Sequence, residues 1–180
     1  SLERQDWPVL HVWASDDGST DATLAILQAW QARWGKGRFE ILSGPRQGFA
    51  GNFRYLVQSV ETDAAYYAYC DQDDIWLPGK LRAAAAAIGT DDAPVLYCGR
   101  TIIANQAGAA QRLSEHFRAP PDFRNALVQS IAGGNTMVMN HAAFTLVRQA
   151  MALTDFVSHD WFSYQIISGG GGRVHYSAEP

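Results

Sequence analysis

The sequence predicts a single α/β domain, a mostly parallel mixed sheet flanked by helices. Short apolar runs of strand character alternate with segments whose apolar residues recur at helical spacing, the order that builds βα units. At 180 residues the chain is long enough for one sizeable core. Its 47% hydrophobic and 18% charged content is that of a globular protein, not a disordered one.

Taken in order, Ser1 to Gln5 is polar, and Trp7-Pro8 breaks it. Val9 to Ala14 is apolar and reads as a buried parallel strand. Ser15-Asp16-Asp17-Gly18-Ser19-Thr20-Asp21 is a turn and helix start, with Gly18 for the turn and Ser19 or Thr20 as cap. Leu24, Leu27, Trp30 and Trp34 follow at helical spacing, which places both tryptophans in the core; Gly35 and Gly37 end that helix. Arg38 to Leu42 alternates as a second strand. After a loop to Gly48, Phe49 to Val60 suits a helix with Phe53, Leu56, Val57 and Val60 on one face. Ala64 to Cys70 reads as a third strand that delivers Asp71-Gln72-Asp73-Asp74.

Lys80 to Ile88 is an Ala-rich helix. Pro94 to Ala104 is strand-like with imperfect alternation. Gln106 to Asp122, ending in Ala119-Pro120-Pro121, reads as a surface loop near a site. Phe123 to Ile131 looks helical, Gly133 to Asn135 is a turn and Thr136 to Met139 a short strand. His141 to Ala152 is a helix. Another begins at Ser158 and ends at Gly169 to Gly172, before a last strand from Arg173 to Tyr176.

The net charge of -4 and the absence of a Lys/Arg block argue against a nucleic-acid binder, which needs a basic face. No apolar run is long enough to span a bilayer. Cys70 and Cys98 sit in strand-like runs and read as buried free thiols of a reducing compartment, so a cytoplasmic location is expected.

The acids carry the chemistry. Asp71, Asp73 and Asp74 repel one another within four positions, and a divalent cation held by hard oxygens would offset that repulsion. The competing reading is an acidic turn at a helix N-terminus. In open α/β sheets, ligands bind beyond the carboxyl ends of the strands. Asp16-Asp17 and Asp71 to Asp74 both occupy such positions, although Asp16-Asp17 also reads as a turn and cap. Arg46, after the second strand, either reaches the same ligand or is a solvated arginine. Gly134-Asn135 is also a plain turn, Asp160 a first-turn helix carboxylate and Trp161 a core residue.

Four separated motifs occur in one order: Ser15 to Asp21, Asp71 to Leu81, Gly134-Asn135-Thr136 and His159-Asp160-Trp161. In this the chain resembles family-2 glycosyltransferases, in particular their rhamnosyltransferase-like branch. The resemblance implies a GT-A fold with a nucleotide-sugar-binding half (1–104) and an acceptor-binding half (105–180). It implies inverting transfer of a sugar, rhamnose or a hexose, from a dTDP- or UDP-sugar to a glycan or lipid-linked acceptor in cell-surface polysaccharide synthesis. By the same resemblance Asp16 and Asp17 contact the nucleotide, and Asp71 and Asp73 form the DxD motif. Asp71 faces the nucleotide, while Asp73 with Asp74 holds Mg²⁺ or Mn²⁺. The resemblance also implies that Asp160 is the general base and that Gly134 and Asn135 line the sugar and acceptor region; Trp161, an aromatic next to that base, would offer a sugar a face to stack on.

Truncation at both ends is expected from the family pattern, which has a strand before the first helix and a metal-site His beyond the last strand. Peripheral membrane association would come through parts outside this chain. A metal-dependent nucleotidyltransferase is the rival enzyme, but it needs a Gly/Arg/Lys-rich phosphate loop near the first strand, and none is visible. A non-catalytic carbohydrate-binding domain is the other rival; the intact acids argue against it.

Overall fold

The expected alternation of strands and helices is present, but the strands form separate sheets. The computed structural model describes residues 1–61 and 63–180. In it β1 (Val12–Asp16) pairs in parallel with β2 (Phe39–Ser43), Val12 lying opposite Phe39 and Asp16 opposite Ser43. A second sheet has four strands: β3 (Tyr66–Ala68), β7 (Val138–Asn140), β4 (Val95–Gly99) and β8 (Arg173–Ser177), in that spatial order. β4 and β8 are parallel, whereas β7 runs antiparallel to both its neighbours. The sheet is thus mixed, as expected, with β7 as its antiparallel strand. All three of its residues are buried, so it lacks the alternation of buried and exposed positions that often marks an antiparallel strand.

Six helices complete the domain among the described residues: α1 (Thr23–Arg33), α2 (Gly48–Ser59), α3 (Lys80–Ile88), α4 (Phe123–Ala126), α5 (His141–Leu153) and α6 (His159–Gly169). α5 and α6 cover one face of the four-stranded sheet, where Leu96, Cys98, Met139, Phe144, Val147 and Ile167 form the main core. α3 covers the other face through Leu81, Ala84 and Ile88 against Val95 and Val138. Each such large side chain contributes about 1.5–3 kcal/mol by leaving water. Both cysteines are free thiols; Cys98 is buried as expected, whereas Cys70 is only half-buried. No described helix is long and apolar enough to cross a membrane.

Three expectations are corrected here. Trp30 and Trp34 are not core: α1 has no buried residue, because it packs only on the narrow β1–β2 pair. Trp30 instead lies under the Arg33 guanidinium, 4.0 Å from its ring, and Trp34 Nε1 donates to the Leu10 carbonyl at 3.1 Å. The Pro94 to Ala104 run splits after Gly99, and β5 (Ile102–Ala104) turns away to pair with β6 (Ala110–Leu113) inside the stretch read as loop. The turn between them is built by Asn105, whose Oδ1 accepts from the amides of Ala107 and Ala109. The helix expected to Ile131 stops at Ala126, capped by Asp122 accepting from the Asn125 amide at 2.7 Å.

Candidate active site

The first part of the site is the loop cluster beyond β1 and β2. Asp17 Oδ1 accepts from the Arg46 amide at 2.6 Å and Oδ2 from the Gly48 amide at 2.8 Å. Its carboxylate thereby ties the end of β1 to the start of α2, rather than capping α1, the helix that follows it in sequence. Asp16 accepts from the Ser19 amide at 3.2 Å and closes the adjoining turn. Arg46 takes a left-handed backbone (φ 59°), and its exposed side chain lies over Gly18, where a Cβ would stand 3.1 Å from Nε. Asn52 on α2 was not anticipated. It accepts from Ser15 Oγ at 2.5 Å and donates to the Ser15 carbonyl at 3.0 Å. Its partner lies 37 residues away, so no local pattern announces it. Gly44 has to be glycine: a Cβ there would come within 2.6 Å of Asn52 Oδ1 and 2.7 Å of Asp17 Oδ1.

The second part is the acid loop after β3. Burial raises the carboxyl of Asp71 above its ordinary value, and Asp74, Asp73 and Asp160 push it further in the same direction. Asp74 is raised by burial and by Asp73; a hydrogen bond with Asn135 and the charge of Lys80 oppose this. The acids of the first half and Asp160 of the second thus share one electrostatic field. Lys80, also unanticipated, is half-buried, with its ammonium out of reach of water 3.3 Å from the Trp76 ring centroid. Burial pushes it down to about 7, with Cys70 and Asp74 acting against the shift.

Asp160 sits in the first turn of α6. Its Oδ1 accepts from Ser158 Oγ and from the Trp161 amide at 2.7 Å, and its Oδ2 from the Gly134 amide at 3.1 Å. The Gly134 amide therefore joins this turn to Asp160, and Asn135 beside it acts to lower the Asp74 carboxyl. Trp161 is half-buried, and its indole donates to the Ala126 carbonyl at 2.6 Å, which fixes the ring beside Asp160. Among the described residues no three His, Cys, Asp or Glu side chains are grouped to hold a metal. The exposed Asp73 and half-buried Asp74 still offer the hard oxygens that Mg²⁺ takes when substrate phosphates complete its shell. The crowding of like charges here fits a cation.

His159, read from the sequence as a surface or packing residue rather than a ligand, is a packing residue. It is 4% exposed, its ring stacks on Phe53 at 3.6 Å, and the Tyr69 ring meets it edge-on at 4.7 Å. Neither ring nitrogen has a partner among the described residues. A Cβ on Gly134 would lie 2.5 Å from its Nε2, so the turn can pass only as glycine. Burial pushes the imidazole from 6.5 down to about 4, against the pull of Asp160. The unfolded chain then takes up a proton between pH 6.5 and pH 4 that the folded chain refuses. Stability is full above pH 6.5 and falls as the pH drops through that window. Phe at position 159 keeps the stack and removes the proton site. His159→Phe is expected to shrink the loss of unfolding free energy between pH 7 and pH 5 by about 1–2 kcal/mol, read from urea melts at the two pH values.

The sequence model of glycosyl transferase family 2 matches residues 1–152. Asp160 lies beyond the matched residues. Over 170 residues the chain is 26% identical to the dTDP-rhamnosyl transferase RfbG of Shigella flexneri, a match covering 91% of this chain and 57% of that protein. The fold is similar to that of S. aureus TarS 1-349, with a TM-score of 0.62 and 19% identity, over 99% of this chain and 52% of that one. The chain thus spans little more than half the length of the relatives it matches.

Proposed function

Because the chain belongs to glycosyl transferase family 2, we propose that it carries the transfer site of an inverting glycosyltransferase. The donor is a nucleoside-diphosphate sugar, and the acceptor is a hydroxyl of a glycan or lipid-linked glycan in polysaccharide synthesis. The observation that carries this reading is the convergence of Asp71, Asp73 and Asp74 with Asp160 and Asn135 at one end of the sheet. dTDP-rhamnose is the first choice of donor, supported by similarity to a dTDP-rhamnosyl transferase; a UDP-hexose is the second.

The roles follow from what each group still has free. The Asp17 carboxylate holds the loop whose Arg46 side chain stays exposed, and this loop takes the nucleotide with Asp16 and Asp71. Asp73 and Asp74 are the residues to hold Mg²⁺ or Mn²⁺. When bound, the cation supplies charge neutralisation for the departing diphosphate. A carboxylate has about four lone-pair sites. Asp160 commits three to Ser158, Trp161 and Gly134, so one remains to accept the proton of the attacking hydroxyl. Trp161, held by Ala126, gives a sugar ring an aromatic face beside that base.

Calorimetry with UDP and dTDP, with and without Mn²⁺, tests the donor side on the full-length protein. Binding of at least one nucleotide, tighter with Mn²⁺, is expected. If neither nucleotide binds, the reading fails. Binding without any turnover on offered acceptors would favour a non-catalytic carbohydrate-binding domain.

A further inference from the structure

Three aromatic rings meet where α2, the end of β3 and the first turn of α6 come together. His159 stacks on Phe53 at 3.6 Å, with 15° between the planes. Tyr69 meets both rings edge-on, His159 at 4.7 Å and Phe53 at 5.6 Å. Each ring stands next to a group of the site in sequence. Phe53 follows Asn52, which holds Ser15 at the end of β1. Tyr69 is two residues before Asp71, and His159 one before Asp160. A second link runs beside the rings. Ser163 Oγ donates to the His159 carbonyl at 2.6 Å; with its one proton spent, it accepts from the Tyr69 hydroxyl at 3.0 Å. The three elements that carry the site are thus bolted at one point.

An imidazole is an odd ring to bury there. Both nitrogens of His159 lack a partner among the described residues. A phenyl ring would keep the stack and strand no polar atom, so burial alone would favour Phe. What the imidazole has over a phenyl is its smaller outline. Its Nε2 faces Gly134 so closely that a Cβ on that glycine would lie 2.5 Å away. The Gly134 amide in turn donates to Asp160 Oδ2 at 3.1 Å. The turn is also held from its other side. Thr136 Oγ1 donates to the Gly133 carbonyl at 2.9 Å and accepts from the Gly99 amide, at the end of β4, at 3.3 Å. A six-membered ring would therefore press on a turn that is braced from behind.

We propose that His159 is a positioning residue of the transfer reaction. Its five-membered ring is the spacer that sets the Gly134 amide against Asp160 and, through Tyr69, keeps Asp160 in register with the acid loop. Buried as it is, it reaches neither donor nor acceptor and acts through Asp160. This role rests on the transferase reading and adds to it a residue whose effect falls on rate. A reacting group misplaced by about 1 Å costs about 10²-fold in rate. Nucleotide binding is spared, because the Asp17 loop is tied to α2 by its own hydrogen bonds.

His159→Phe in the full-length protein is the test, read at a temperature where the variant is folded. Its thermal midpoint should stay close to the parent's, since relief of two stranded nitrogens offsets the pressure on the turn. Affinity for UDP or dTDP should stay within about twofold, while kcat falls by about 10-fold to 100-fold. Hydrogen exchange at the Gly134 amide should quicken by about tenfold relative to Met139 in β7, as the bond to Asp160 loosens. Tyr69→Phe is the second variant and removes only the hydroxyl donated to Ser163. It should lower kcat by about threefold and spare nucleotide affinity in the same way. An unchanged kcat in both variants overturns the proposal and leaves His159 as packing alone. So does slower transfer with Gly134 exchange unchanged, or a loss of nucleotide affinity that matches the loss of rate. A parent protein that binds neither nucleotide overturns the transferase reading and this role with it. That failure is told apart by the exchange readout, which needs no nucleotide and no acceptor.

Discussion

Replacing Asp160 with Asn is expected to lower the transfer rate by about 10²–10⁴-fold while nucleotide affinity stays close to that of the parent. The amide keeps the shape of the carboxylate and one acceptor oxygen, but it cannot take a proton. Its new NH₂ has to face either the Gly134 amide or the Ser158 and Trp161 donors, all of which now point at Asp160. A donor set against a donor costs about 1–3 kcal/mol, so the variant will melt earlier. The rate therefore has to be read at a temperature where it is fully folded. Single-turnover transfer measures the chemistry, and calorimetry with UDP or dTDP measures the donor side. A variant that loses nucleotide binding but transfers at the parental rate once saturated would move Asp160 from the acceptor to the donor. Asp71 makes that a live outcome, because the Asp160 charge acts on it across the site.

The parts of this site legible in the sequence are those governed by local or topological rules. Asp16, Asp17 and Asp71 to Asp74 follow short apolar runs, and the rule that ligands gather beyond strand ends marks them at once. α3 was readable at its bounds because Ala-rich helices need no tertiary context and Gly79 and Gly89 flank it. What stayed hidden depends on distant partners. Asn52 matters through Ser15, and His159 through Phe53, Tyr69 and Gly134, all far from it in sequence. β6 is exposed at every residue and so has no apolar alternation to betray it. Trp30 and Trp34 show the converse: their spacing is right for a buried face, but spacing cannot report that the sheet beneath is only two strands wide.

Asn140→Ala is the substitution expected to cost the most stability. Asn140 ends β7, the strand between β3 and β4, and is 7% exposed. Its Oδ1 accepts from the amides of Val95 and Ala143, both at 3.0 Å. Its Nδ2 donates to the carbonyls of Asp91 at 3.0 Å and Ala93 at 2.7 Å. One side chain thus caps α5, fixes the start of β4 and holds the turn before it. Loss of the cap alone costs about 1 kcal/mol. The Val95 amide and two carbonyls are then left without partners, at about 1–3 kcal/mol for each group that water cannot reach. Partial solvation makes the sum less than additive, so about 3–5 kcal/mol is expected, a large part of the roughly 5–15 kcal/mol that holds a domain together. Urea unfolding should show the midpoint falling with the slope unchanged. Asn140→Asp separates the contributions: it keeps both accepted bonds and the cap, but turns an oxygen toward the Asp91 and Ala93 carbonyls. If Asn140→Ala costs only about 1 kcal/mol, Asn140 is a cap and nothing more, and the strand ladder alone sets the β4–β7 register. A cost near 4 kcal/mol would mean that Asn140 itself anchors the strand leading out of the Gly134 turn, and with it the hydrogen bond that aims Asp160.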